Sequence, residues 1–374
     1  MIITLVMDQF DVEGNGITVA SRRLAETLEK RGHTVRIVTT GEEGKNRYIV
    51  KEKRDLVQFF AKKQKMSLGK PDREVLIRAF KGADIIHFMM PFFLSIEGKK
   101  IADEMNIPTT TAFHVQPENV SFNIGMGNNK IVNDFIYAFF NETFYKNFNY
   151  IHCPSRFIAE ELKNHGYKSK LYVISNGVDS IFKMDDKFIK DEKYKDKFVI
   201  LMIGRYSPEK RQDVLIDAIS KSKYKDKIQL ILAGTGPSEK TLKKLSDEKL
   251  KNKTIFNFYL KENLLKIIRN TDLYVHASEI EIEAISCIEA FSCGIVPIIS
   301  NSKKSATKQF ALSEKSLFKT NDSSDLANKI DYWIEHSEEK QQLGYKYAQF
   351  AEKYNLEKSI DEILEMFNDA ISSK

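Results

Sequence analysis

The sequence predicts an α/β protein built as two Rossmann-like, doubly wound domains facing a central cleft, and three observations carry that prediction. Short aliphatic runs alternate with helical spacing along the first half of the chain. After a stretch crowded with Lys and Asp, 183–197, the alternation restarts. At 374 residues the chain is too long for one ordinary hydrophobic core and suits two domains of common size. The expected division is 1–182 and 183–355.

Taken in order, Ile2 to Met7 is an apolar run ended by Asp8 and reads as a buried strand. Val19 to Arg31 has apolar residues at helical spacing and stops at Gly32, a suitable C-terminal cap. Thr34 to Thr39 is the next strand, and Ala83 to Phe88, Thr109 to Phe113, Tyr150 to Cys153 and Leu171 to Ile174 continue the series. Such alternation gives a parallel sheet with helices on both faces. In the second half, Phe198 to Ile203 is a strand, Gln212 to Ser220 a helix and Ile228 to Ala233 a strand. Leu273 to His276 and Ile295 to Ser300 are further strands. Between them, the run after Glu281 reads as a helix that closes at Gly294. The charged stretch 183–197 reads as a linker.

Composition excludes several classes. A hydrophobic content of 42% with 11% aromatic residues is that of a folded protein. No apolar run reaches the ~18 residues of a membrane span, and Met1 to Met7 lacks a basic flank or cleavage site. Cys153, Cys287 and Cys293 are odd in number and lack metal-ligand spacing, which suggests core thiols, a reducing compartment and no zinc site. Between Lys45 and Lys81, twelve basic residues face four acids, 12 − 4 = +8, more than the +6 of the whole chain. Leu56, Val57, Phe59, Phe60 and Met66 interleave with them. A basic amphipathic stretch suits an anionic membrane surface, and a solvated Lys-rich helix face fits the same residues. No nucleic-acid-binding motif accompanies the charge.

Ligands of open α/β sheets bind beyond the carboxyl ends of strands, so the chemistry is sought there. Glu281 and Glu289 lie eight positions apart, on one face if both are helical. A helix entrance favours anions, so an acid at each end of a phosphate-sized site suits a sugar nucleotide. A surface helix with solvated Glu side chains is the alternative. Gly14 and Gly16, after the first strand, allow close backbone approach to a phosphate or sugar; a plain tight turn also fits. Val19 stands where a dinucleotide fingerprint needs its third glycine, which argues against a nicotinamide-dependent oxidoreductase. Arg205 and Lys210 follow a strand and supply the positive charge that a diphosphate leaving group needs, unless the loop is merely solvated. Gly234 and Gly236 either border a base or phosphate or form a structural turn. His114, at a strand end, either binds a substrate hydroxyl or is an ordinary hydrogen-bonded histidine. Asn176-Gly177-Val178-Asp179 reads as a turn at the domain junction.

In their order and spacing these pieces resemble the retaining glycosyltransferases of family four, which have the GT-B fold. The resemblance runs from the Gly14-Asn15-Gly16 turn and the helix ending before Gly32-His33, through Ile174-Ser-Asn-Gly-Val-Asp179 and Gly204-Arg205 with Lys210, to the E-x7-E pair Glu281 and Glu289. It implies that Arg205 and Lys210 hold the donor diphosphate and Glu289 the ribose hydroxyls. Glu281 would lie by the donor sugar and His114 would bind one of its hydroxyls. Gly14, Gly16 and Gly234 would border the nucleotide sugar. It further implies that the final helix, 356–374, packs on the first domain. The implied reaction is metal-free transfer of a hexose from a nucleotide sugar, a UDP-sugar by resemblance. The implied acceptor is a lipid or cell-envelope glycan, as in diacylglycerol glucosyltransferases. A soluble sugar or protein acceptor, or a non-catalytic partner subunit, are the alternatives. The expected location is cytoplasmic and peripheral at the membrane. Glu283 and Ala284 stand where the family has an aromatic residue and a glycine.

Overall fold

The computed structural model describes residues 1–11, 16–54, 67–122 and 125–374. Gly14 lies outside the described residues, as does 55–66, which holds Leu56, Val57, Phe59, Phe60, Lys62, Lys63, Lys65 and Met66 of the basic segment. The chain forms two compact units, one of Met1–Gly177 with Glu357–Lys374 and one of Val178–Leu356. The division follows Gly177 rather than residue 182. Residues 183–197 pack within the second unit instead of acting as a linker. Tyr194 is buried there, and Lys190 Nζ lies 2.5 Å from Asp272 Oδ2. Asp191 N donates to Asn270 Oδ1 at 2.7 Å. Charge that composition assigns to solvent is here used in ion pairs.

Among the described residues, seven strands form the sheet of the first unit: β1 Ile2–Gln9, β2 Thr34–Thr40, β3 Arg47–Ile49, β4 Ile85–Phe88, β5 Thr109–Ala112, β6 Tyr150–Cys153 and β7 Lys170–Val173. Their order is β3-β2-β1-β4-β5-β6-β7, and each neighbouring pair is parallel. Strand order reverses between β1 and β4. The sheet core is near-continuously apolar, as burial on both faces requires: Ile3, Leu5, Val6, Ile85, Ile86 and Phe88 are buried. The helix Leu356–Ser372 buries Ile360, Ile363, Met366 and Phe367, and the Phe367 ring lies 5.3 Å from that of His87. Arg31 reaches Glu357 and Asp361 of that helix at 2.6 and 2.5 Å.

The second unit repeats the plan with β8 Phe198–Ile203, β9 Ile228–Ala233, β10 Ile255–Asn257, β11 Leu273–His276, β13 Pro297–Ser300 and β15 Leu317–Phe318, in the order β10-β9-β8-β11-β13-β15. A two-stranded ribbon, β12 Ile280–Glu281 with β14 Lys304–Ser305, stands apart from it. Here the order reverses between β8 and β11. Leu273 and Tyr274 pair with Ile200 and Leu201 across that junction. The single Trp, Trp333, is fully buried against this core, and the three cysteines are buried free thiols.

At the carboxyl end of β1, Asp8 is fully buried. Its Oδ1 accepts from Gly69 N at 2.8 Å, and the neighbouring Gln9 Oε1 accepts from Ser67 N at 3.0 Å. Burial pushes the Asp8 carboxyl up to about 7, with the Gly69 hydrogen bond and Lys53 opposing weakly. A carboxyl raised in the folded state makes stability fall as pH rises from its ordinary value of 3.8 through about 7. Asp8→Asn keeps an oxygen for Gly69 N and removes the titration. Urea unfolding is therefore expected to show the variant more stable than the wild type at pH 8, with the difference shrinking toward pH 4.

Candidate active site

The switch in strand order within the second unit makes the site. The loops that leave the carboxyl ends of β8 and β11 start on either side of that reversal and meet above it, where Glu279 N donates to the Glu209 carbonyl at 2.8 Å. The β8 loop carries Gly204, Arg205 and Lys210, and the β11 loop runs through Ala277 to Glu281. Lys210 Nζ lies 2.5 Å from Glu281 Oε1, with both side chains largely buried. His276, the last residue of β11, brings Nε2 to 3.1 Å from the same oxygen. Behind it, His276 Nδ1 lies 3.3 Å from the Tyr274 hydroxyl, which lies 3.1 Å from Ser286 Oγ. Donation from Tyr274 to Nδ1 leaves the proton on Nε2, which then donates to Glu281. Burial acts to raise the Glu281 carboxyl, but Lys210 and then His276 outweigh it and hold it at about 2. Glu281 is therefore a fixed anion with one oxygen engaged by two donors.

Glu281 does not sit on a helix. It lies on β12, paired with β14, and the helix starts later, at Ile285–Ser292. The two acids therefore do not share a helix face; Glu289 alone is helical, buried in the second turn. The delay has a local cause. Ala284 caps the helix at φ 67° and ψ 68°, a left-handed conformation that a residue with a Cβ adopts at a cost of about 1 kcal/mol. Here the backbone keeps a glycine-like conformation without glycine. Gly294, at φ 80°, follows the helix end as the sequence suggests.

Arg205 is partly buried, and that burial lowers its pKa, although a guanidinium remains charged at all ordinary pH. Gln212 Nε2 donates to the Arg205 carbonyl at 2.8 Å and steadies the loop. Gly234 and Gly236 prove to have a packing reason. A Cβ at Gly234 would lie 2.0 Å from the Gly204 carbonyl oxygen, and one at Gly236 would lie 2.3 Å from the Tyr206 carbonyl oxygen. Tyr206 N donates to Thr235 O, and Ser238 N to Tyr206 O, so the two loops are laced together.

In the first unit, His114 follows β5 and is buried. Its Nε2 has no hydrogen-bond partner among the described residues. Burial, and then His152, hold its pKa down at about 3, so it is a neutral imidazole. His152 lies edge-on with ring centroids 5.5 Å apart, and its Nε2 meets the Ile174 carbonyl at 2.7 Å. Gly16 opens the helix Gly16–Lys30, and a Cβ there would meet no atom within 4 Å.

Sequence reasoning missed His276, Tyr274 and Ser286, which hold Glu281. The available signal was that His276 ends a strand next to the acid loop. It also missed a second charged cluster around the buried Glu279. Arg211 lies 3.9 Å from that carboxylate and Lys304 3.7 Å, and Asn321 Nδ2 donates to it at 3.4 Å. Of the three alternating acids, Glu279 faces this cluster, Glu281 faces Lys210, and Glu283 is buried.

Two family models match the chain: "Glycosyltransferase Family 4" over residues 14–181 and "Glycosyl transferases group 1" over residues 183–350. An alpha-monoglucosyldiacylglycerol synthase of Streptococcus pneumoniae is 29% identical over 240 residues, 58% of this chain and 52% of that protein. The chain thus spans about half the length of that relative. A solved catalytic domain of a cholesterol-alpha-glucosyltransferase from Helicobacter pylori is 50% identical, covering 42% of this chain and 99% of its own, at a TM-score of 0.41. The structure of Anabaena HepE in complex with UDP-glucose is 15% identical over 99% of this chain and 100% of its own, at a TM-score of 0.78, a likeness of fold.

The Lys210–Glu281 pair can be weighed by a double-mutant cycle in urea. Lys210→Met leaves a buried carboxylate without its cation and is expected to destabilise more than Lys210→Met/Glu281→Gln, with a coupling of about 1–3 kcal/mol. Glu281 titrates below its ordinary 4.5, so this coupling is complete above about pH 4.5 and is lost as pH falls toward 2.

Proposed function

The chain belongs to glycosyltransferase family four, with the GT-B fold, and from that premise we propose that it transfers a hexose from a UDP-sugar to a lipid acceptor with retention of anomeric configuration. The observation that carries this reading is the Lys210–Glu281 pair at the strand-order switch, with Arg205 in the same loop. The pair holds Lys210 in place at the strand-order switch, and with Arg205 it supplies the cations that a diphosphate requires. The lipid acceptor rests on the streptococcal relative, which makes a glycosylated diacylglycerol by its name. Soluble-sugar and protein acceptors are the readings it disfavours.

In this reading the diphosphate enters the β8 loop and takes Lys210 and Arg205 as counter-ions. His276 keeps hold of Glu281 when the ammonium turns to phosphate, so the acid stays in place beside the sugar. Glu289 receives the ribose hydroxyls, and His114 offers a neutral nitrogen to a sugar hydroxyl. The bond from the anomeric carbon to the diphosphate oxygen breaks with its electron pair leaving on phosphate. The acceptor hydroxyl attacks the same face, and its proton passes to the departing phosphate oxygen. Arg205 and Lys210 stabilise the charge that accumulates there. No covalent nucleophile is invoked, and the two cations do the work otherwise given to a metal.

Lys210→Ala and Arg205→Ala are each expected to lower kcat by tenfold or more, as loss of an electrostatic stabiliser does. Steady-state assays with UDP-glucose and dispersed diacylglycerol measure this, and near-wild-type turnover in both variants rejects the assignment. Wild-type rates are expected to survive an excess of EDTA. Proton NMR of the product should show the anomeric configuration of the donor; an inverted product rejects retention.

A further inference from the structure

The helix Lys130–Thr143 has two unlike faces. Inward, Asn133, Tyr137 and Phe140 are buried, and the Tyr137 ring stacks 6.1 Å from Phe113, the residue before His114. Outward, Ile131, Phe135 and Phe139 fall at four-residue steps and are 81%, 68% and 52% exposed. The Phe135 and Phe139 rings stack on each other at 6.4 Å, Ala138 is exposed beside them, and Met126 in the preceding turn is 46% exposed. Charge stands only at the margins and is self-cancelling: Lys130 pairs with Asp134, and Lys146 with Glu142.

A strip of this kind needs an occupant. Its area is roughly 500 Å² by ordinary side-chain sizes, short of the ~800 Å² per partner that a stable protein interface buries. It is one helix wide, and its exposed members Met126, Ile131, Phe135 and Phe139 are apolar, with no side-chain hydrogen-bonding group to pair. A bilayer interface makes no demand for a facing surface and accepts a row of Ile, Phe and Met side chains directly. No helix among the described residues is long and apolar enough to cross a membrane. We propose that Met126, Ile131, Phe135 and Phe139 insert into the surface of a lipid bilayer and seat the first unit on it. The helix is tied through Phe113 to the strand end that carries His114, so the contact holds that strand end near the bilayer. This inference rests on the lipid-acceptor reading and assigns a surface to it. The strip has no net charge, so apolar insertion, not attraction to anionic headgroups, holds the protein.

The test is co-sedimentation with phosphatidylcholine vesicles and with vesicles that also contain phosphatidylglycerol. Wild-type protein is expected to bind both, with little loss when salt is raised to about 0.5 M, where charge attraction is strongly screened. Ile131→Ser/Phe135→Ser/Phe139→Ser should weaken binding by at least tenfold, since it removes most of the apolar surface that enters the bilayer. Its thermal midpoint should stay near that of the wild type, because the three positions are exposed. Phe135→Trp provides a direct readout: its fluorescence should be quenched by brominated lipids, against the fully buried Trp333. Wild-type binding by the triple variant overturns the proposal. So does binding that needs phosphatidylglycerol and disappears in salt, which assigns it to the basic segment. A wild-type dimer in sedimentation velocity that the triple variant abolishes also overturns it, in favour of self-association. If the strip binds vesicles but no lipid is glycosylated, the docking surface stands and the lipid-acceptor reading falls.

Discussion

Two parallel strands that part company at their carboxyl ends are the constraint on which the second unit's chemistry depends. β8 and β11 are hydrogen-bonded neighbours, yet their onward loops must turn to opposite sides because strand order reverses between them. Lys210 and Glu281 are 71 positions apart in sequence and meet because of it. The pairing then fixes the electrostatics: an ionised carboxylate, a compensating ammonium, and a histidine and tyrosine that lock the carboxylate's direction.

Much of this was legible in the residues. β6, β8, β9 and β11 stand where their aliphatic runs place them, because a strand buried on both faces leaves an unbroken apolar signature. Arg205 and Lys210 were singled out by type and by position after a strand, and Glu281 by its spacing to Glu289. What stayed hidden was tertiary. Periodicity alone puts Glu281 and Glu289 on one helix, but the ribbon with Lys304–Ser305 and the left-handed turn at Ala284 claim the residues between. The Lys/Asp-rich stretch 183–197 looks solvated by composition, and only the fold supplies its partners Asn270 and Asp272. His276 carried no local mark, since its role exists only through Glu281. The short strands Arg47–Ile49 and Leu317–Phe318 were likewise beyond local pattern.

The two units differ in electrical character. The loops of the second are dominated by fixed charge. The strand ends of the first hold His87, His114 and His152 close together and buried, where desolvation favours the neutral ring in each. Neutral imidazoles hydrogen-bond hydroxyls without attracting anions.

The lacing of Gly234 and Gly236 against Gly204 and Tyr206 has one more consequence. Backbone packed on backbone leaves little room for alternative loop shapes, so the groove beside these loops has its form before any ligand arrives. Ordering entropy that a floppy loop would lose on association is already spent in folding. Affinity in such a groove is set by how well charges match, and tuning it by evolution or design would act on side chains, because the scaffold beneath them has no slack to give.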